Sequence, residues 1–164
     1  MRKVLFLCTQ NSARSQIAEA ILNSKGNGEF IAYSAGSCPA KDVNPYALLA
    51  MQELGIDITN YETKSVDNFL DEEFDFVITL CDKMRNQCPN ISSDTIQAHW
   101  GLPDPKYFEG TDEEILKQYK RLKNDLITRV NILLSLPMEK LDRASIKEKL
   151  DNILKDEYGK ECCK

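Results

Sequence analysis

Short apolar runs alternate along the chain with longer segments in which apolar positions recur every three or four residues. Val4-Leu5-Phe6-Leu7 is continuous and bounded by polar residues, the pattern of a strand buried on both faces. From Ser15 onward, Ile17, Ala18, Ile21 and Leu22 fall at helical spacing. The turn cluster Lys25-Gly26-Asn27-Gly28 leads to a second strand, Phe30 to Ser34, closed by Ala35-Gly36-Ser37 as a tight turn. Asn44-Pro45 opens a second helix, with asparagine as cap and proline where no N–H is needed. Ala47, Leu48, Met51 and Leu54 give that helix an inner face, and Gly55 stops it. Ser65 to Leu70 predicts a short helical turn, Phe76 to Leu80 a third strand and Thr95 to Trp100 a fourth. Thr111 and Glu114 have the spacing of a capping box. The long helix behind it turns Ile115, Tyr119, Leu122, Leu126, Val130 and Leu133 inward and ends at Pro137. Ser145 and Glu148 predict a second capping box, opening a last helix with Ile146, Leu150, Ile153 and Leu154 inward.

Strands alternating with helices predict an α/β fold: a single-domain, parallel four-stranded sheet with helices on both faces. This domain is expected to span residues 1–137. Residues 138–164 form an appended C-terminal helical extension ending in the pair Cys162 and Cys163. In such sheets the ligand lies outside the carboxyl ends of the strands. Cys8, Ser34, Cys81 and Asp104 each fall at or just past such an end, so one edge of the sheet gathers four chemically capable residues.

Composition narrows the partners. The 164 residues are enough for one domain with a sizeable core. A formal charge of −5 argues against nucleic acid and against general steering of anions, so an anionic ligand must be held by a local field. No apolar run is long enough for a membrane span, and the chain enters its first strand too early for a signal peptide. Six cysteines separated by helical segments do not resemble a disulfide scaffold. A reducing, cytoplasmic setting is expected, where clustered thiols serve catalysis.

The chemistry centres on Cys8-Thr9-Gln10-Asn11-Ser12-Ala13-Arg14-Ser15, a loop between strand and helix. Amides converging at a helix N-terminus favour an anion, and the same field favours a thiolate at Cys8. Arg14 adds a planar, bidentate cation. Asp104, stiffened between Pro103 and Pro105, is a candidate general acid over the loop. Cys81 and Cys88 stand seven positions apart across mostly polar residues. On a helix their separation along the axis would be about 10 Å, beyond the roughly 4.4–6.8 Å between Cα atoms that a disulfide needs. The segment would have to unwind for the two to join, which suits a redox relay leading outward from Cys8. Cys38, beside Pro39, reads as an ordinary small apolar residue near the second turn. Cys162 and Cys163 lie in a tail, and a lone histidine, His99, makes no zinc site and is read as structural or pocket-lining.

Over roughly residues 1–135 these motifs resemble the thioredoxin-coupled arsenate reductases, which share the fold of low-molecular-weight tyrosine phosphatases. The matching stretches are Cys8 to Ser15, Ser34-Ala35-Gly36, Val43-Asn44-Pro45, Gly55 to Ile58, Thr79-Leu80-Cys81, Cys88-Pro89, His99-Trp100 and Asp104-Pro105. The cysteine–arginine loop is shared with the phosphatases; the pair Cys81 and Cys88 marks the reductases. The resemblance implies that arsenate binds Thr9, Gln10, Asn11, Ser12, Ala13, Arg14 and Ser15, with Ser15 bonded to Cys8 and Asn11 bracing the loop. Cys8, Arg14, Asp104, Cys81 and Cys88 would carry the reaction, with thioredoxin as reductant, no cofactor, no metal and a monomeric chain. Some relatives bind potassium at positions matching Asn11, Glu19 and Ser34; here Lys64 replaces an acidic ligand, so no potassium dependence is expected. Ala13 stands where the phosphatases have a second loop cysteine. Two rival readings are a phosphotyrosine phosphatase using Cys8, Arg14 and Asp104, and a non-catalytic binder of oxyanions or arsenite.

Overall fold

A computed structural model describes residues 1–86 and 94–153. Cys88, Leu154, Cys162 and Cys163 lie outside the described residues. The chain runs β1 (Arg2–Cys8), α1 (Arg14–Lys25), β2 (Phe30–Gly36), α2 (Pro45–Gln52), β3 (Phe76–Thr79), α3 (Asp82–Asn86), β4 (Ile96–His99), α4 (Asp112–Ser135) and α5 (Arg143–Asp151). Short 3₁₀ turns at Val66–Phe69 and Pro105–Tyr107 precede β3 and α4.

All pairings are parallel, in the order β2-β1-β3-β4. The path from β1 to β2 moves toward one edge of the sheet, and from β3 to β4 toward the other. The order therefore reverses between β1 and β3, and a crevice opens beyond the carboxyl ends of these neighbours. Cys8 ends β1, and Cys81 lies two residues past β3. Val4, Phe6, Leu7 and Ile78 are fully buried, as the unbroken apolar runs demand.

Local sequence chemistry sets the helix starts. Asn44 Oδ1 accepts from Tyr46 N at 2.8 Å ahead of Pro45, and the Thr111–Glu114 capping box is formed in both directions. On α4, Tyr119, Leu122, Leu126, Val130 and Leu133 are buried as their spacing predicts. Lys123 and Arg129 are buried there too, which periodicity does not reveal; Lys123 reaches Glu53 Oε1 at 2.9 Å. The C-terminal helix is present but starts earlier than the Ser145–Glu148 spacing suggests. Asp142 is its cap, accepting from Ser145 N at 2.7 Å, and a carboxylate there also suits the helix dipole.

Helix α5 covers the open edge at β4, where unpaired backbone groups would otherwise face water. Lys147 Nζ donates to Gln97 O at 2.8 Å, and Asp151 Oδ1 accepts from His99 N at 2.7 Å. Trp100, fully buried, donates its indole N–H to Leu150 O at 3.0 Å. Among the described residues, no helix is long and apolar enough to cross a membrane.

Candidate active site

Between β1 and α1 the chain folds residues 9–13 into a tight loop whose carbonyls are all occupied from behind. Thr9 O accepts from Cys38 N at 2.9 Å, Gln10 O from Ala40 N at 2.9 Å and Ser12 O from Asn44 N at 2.8 Å. Asn11 O accepts from Gln16 Nε2 at 3.0 Å, and Ala13 O from Ile17 N at 2.9 Å. With its acceptors turned outward and engaged, the loop keeps its N–H groups for an anion at the front.

Asn11 is the hub of this arrangement. Its φ of 53° places it in the left-handed region, which asparagine enters more readily than most residues. Its side-chain Oδ1 accepts from Lys64 N at 2.8 Å and Gln16 Nε2 at 2.9 Å, while Nδ2 donates to Ser15 Oγ at 2.7 Å. Since Ser15 accepts there, its own hydrogen is left for Cys8 Sγ, 2.9 Å away. The Asn11 backbone N–H also points at Cys8 Sγ, at 3.2 Å. Two donors converging on one buried sulfur suit a thiolate acceptor.

Gly36 permits this closeness. The alternating pattern assigns it to a turn, but it is the last residue of β2, beside Cys8 in the ladder. A Cβ there would lie 2.5 Å from Thr9 O and 2.9 Å from Cys8 O. Only a hydrogen fits.

Lys64 Nζ lies 3.7 Å from Glu19 Oε1 and donates to Glu62 O at 3.1 Å. Burial pushes the Glu19 carboxyl above its usual range, opposed chiefly by the Lys64 charge. Ser34, fully buried beside it, also opposes that rise.

A cleft of about 1010 Å³ opens in front of the loop, lined by Thr9, Arg14, Cys38, Cys81, Asp104 and Tyr107 among others. The structure thus brings together the loop, Cys81 and Asp104, as the strand-end argument expects. Arg14 is buried; its Nη2 lies 3.9 Å from Asp104 Oδ2, and Nη1 donates to Leu102 O at 3.5 Å. Asp104 Oδ1 caps the following 3₁₀ turn by accepting from Lys106 N at 3.0 Å, which aims its other oxygen toward Arg14. Cys81 Sγ sits 3.3 Å from Thr9 Oγ1, so the second thiol touches the loop that holds the first.

One placement differs from expectation. Cys38, read as an ordinary small apolar residue, is exposed and lines the cleft. Of the two readings of His99 the structural one fits, since its ring bridges Thr79 Oγ1 at 2.7 Å and Asp82 Oδ1 at 2.9 Å outside the cleft. Gln16 and Gly36 were not singled out by sequence patterning. The glutamine reads as one more polar helical position, though it is fully buried.

A strand-end cysteine, a loop closed by an arginine and an aspartate opposite, on a parallel α/β sheet, define the phosphatase-like α/β class. The chain belongs to the low molecular weight phosphotyrosine protein phosphatase family, which matches residues 3–149. It is 40% identical over 127 residues to the arsenate reductase of Halalkalibacterium halodurans, covering 77% of this chain and 91% of that protein. A solved arsenate reductase in its oxidized state superposes with a TM-score of 0.70 at 31% identity, covering 82% of this chain and 98% of the other. The low molecular weight protein tyrosine phosphatase from T. tengcongensis superposes at 0.66 with 26% identity, covering 86% of this chain and 100% of the other.

Proposed function

We propose that the protein reduces arsenate to arsenite through three thiols and is recycled by thioredoxin. Arsenate, a phosphate-shaped oxyanion, binds the loop amides of residues 9–15 and the Arg14 guanidinium. The Cys8 thiolate attacks arsenic, and Asp104 protonates the departing oxygen, forming a Cys8–arsenic bond. Cys81 then attacks the Cys8 sulfur. The sulfur–arsenic electron pair stays on arsenic, which leaves as arsenite, and a Cys8–Cys81 disulfide forms. Cys88 attacks Cys81, freeing Cys8 and leaving a Cys81–Cys88 disulfide for a dithiol reductant.

The observation that carries this reading is the 3.3 Å contact between Cys81 Sγ and Thr9 Oγ1. A phosphatase needs the loop, Arg14 and Asp104, but has no use for a second buried thiol against its nucleophile loop. Relatives named arsenate reductase support the same choice. The chain is read as a monomeric cytoplasmic enzyme without cofactor or metal, its core domain ending near residue 137.

Disulfide mapping by mass spectrometry after one equivalent of arsenate tests the relay. A Cys81–Cys88 bond is expected; only intermolecular or tail-linked products, involving Cys162 or Cys163, would defeat it. Cys88→Ser separates the readings in steady state. A reductase stalls after one turnover, whereas a phosphatase is unaffected.

A further inference from the structure

The relay asks two opposite things of the segment that begins at Cys81. Its sulfur must stay against the Cys8 loop, while the chain beyond must open for the next thiol to approach. Helix α3 follows Cys81 directly. Met84 is buried, Lys83 and Arg85 are exposed, and the first hydrogen bond of the turn runs from Arg85 N to Cys81 O at 3.2 Å. The firm hold lies at its first residue. Asp82 Oδ1 is 2.9 Å from His99 Nε2, and the ring's other nitrogen is 2.7 Å from Thr79 Oγ1.

Each atom of this bridge has one consistent role. A carboxylate only accepts, so Nε2 carries the proton and donates to Asp82. Nδ1 then accepts from the Thr79 hydroxyl, whose other acceptor, Ala98 O, is farther away at 3.5 Å. Burial foremost, with help from the Arg85 charge, holds the imidazole below its usual pKa, against the pull of Asp82 and Asp151. The neutral ring therefore fits both partners. Its backbone is fixed as well, by the Asp151 carboxylate on α5, itself paired with Lys147 Nζ at 2.7 Å.

We infer that His99 and Asp82 form a hinge pin for the thiol relay. The pin anchors the residue next to Cys81 to the sheet and to the C-terminal helix, so that the Cys81 sulfur keeps its place beside Thr9 while the relay proceeds. His99 and Asp82 are positioning residues: they act on the reaction through Cys81, His99 from outside the cleft and Asp82 from its lining beside Cys81. The inference rests on the relay reading. It also gives α5 a part in the chemistry, because Asp151 holds the histidine backbone from that helix.

Rapid-quench alkylation and mass mapping on the full chain test it, following the Cys81–Cys88 disulfide after one equivalent of arsenate. Asp82→Ala is expected to slow its formation roughly tenfold, as loss of a hydrogen bond to a charged group commonly does. Asp82→Asn keeps an oxygen that accepts from Nε2 and is expected to restore most of the rate. His99→Asn, which cannot bridge both partners, is expected to match Asp82→Ala. Affinity for inorganic phosphate should stay within about twofold in His99→Asn, which lies outside the cleft, and should change equally in Asp82→Asn and Asp82→Ala, which remove the same charge from its lining. Cys81 in Asp82→Ala should be alkylated faster before arsenate is added. A wild-type rate in Asp82→Ala overturns the pin, and so does equal slowing in Asp82→Asn and Asp82→Ala. Absence of the disulfide in the wild-type protein overturns the relay itself, a different failure.

Discussion

Cys8 and Cys81 follow adjacent parallel strands and meet at one cleft, yet their surroundings are built to different standards. Around Cys8 each carbonyl from Thr9 to Ala13 has a donor, Asn11 is bonded at both ends of its amide, and Gly36 leaves no spare room. Beyond Cys81 a short helix is secured by Met84 and by the carboxylate of Asp82. The contrast matches what the proposed relay asks of each sulfur. A nucleophile gains from donors that are already in place and need no reorganisation when charge develops. A thiol that passes oxidation onward needs a neighbouring chain that opens at small cost. On the proposed relay, the two surroundings serve these two different tasks.

Breaking the rigid side should give the largest effects. Cys8→Ser is expected to abolish arsenate turnover in a coupled arsenite assay, because the alkoxide it would need is inaccessible near neutral pH. Arg14→Lys keeps the charge but loses the planar fork, so phosphate affinity measured by titration calorimetry should fall roughly tenfold to a hundredfold. Gly36→Ala should destabilise the fold by about 1–3 kcal/mol in urea unfolding through overpacking, and weaken phosphate binding as the loop is pushed forward. An Ala variant with unchanged phosphate affinity would show that the loop is more pliant than its packing suggests.

Smaller effects sharpen the comparison away from the cleft. Lys120 and then Lys123 hold the Glu53 carboxyl down to about 2 from its usual 4.5. A depressed carboxylate stabilises the fold above its unfolded pKa, and that contribution is lost as pH falls from about 4.5 toward 2. Thermal unfolding of the wild type and Glu53→Gln should therefore differ by a steady amount above pH 5 and converge below about pH 2. Replacing potassium by sodium should leave arsenate turnover unchanged, since the Lys64 ammonium already lies 3.7 Å from Glu19. A clear potassium stimulation would show that the ammonium does not fill that place.

Much of the site could be read from residue order, and the reasons are local. Val4 to Leu7 form a strand because an unbroken apolar run has no other way to bury both faces, and Cys8 must then fall at its end. Asn44-Pro45 and Thr111–Glu114 cap their helices through contacts within three residues, so spacing alone reveals them. Cys38 escaped this logic. Its place at the cleft depends on where its backbone is tied, to Thr9 O, 29 positions away in the chain. The start of α5 also moved, because Asp142, which the capping-box spacing passes over, accepts from Ser145 N–H and caps the helix instead.

Sequence alone determined the alternation of strands and helices, the loop with its cysteine and arginine, and the presence of further thiols. These depend on periodicity and short-range hydrogen bonding, which neighbouring residues settle among themselves. The tertiary structure decided that Gly36 must lack a side chain, that Cys81 would touch Thr9, and that His99 would tie Asp82 to the sheet. Those contacts join residues on different strands. They exist only once the order β2-β1-β3-β4 brings the ends of β1 and β3 side by side.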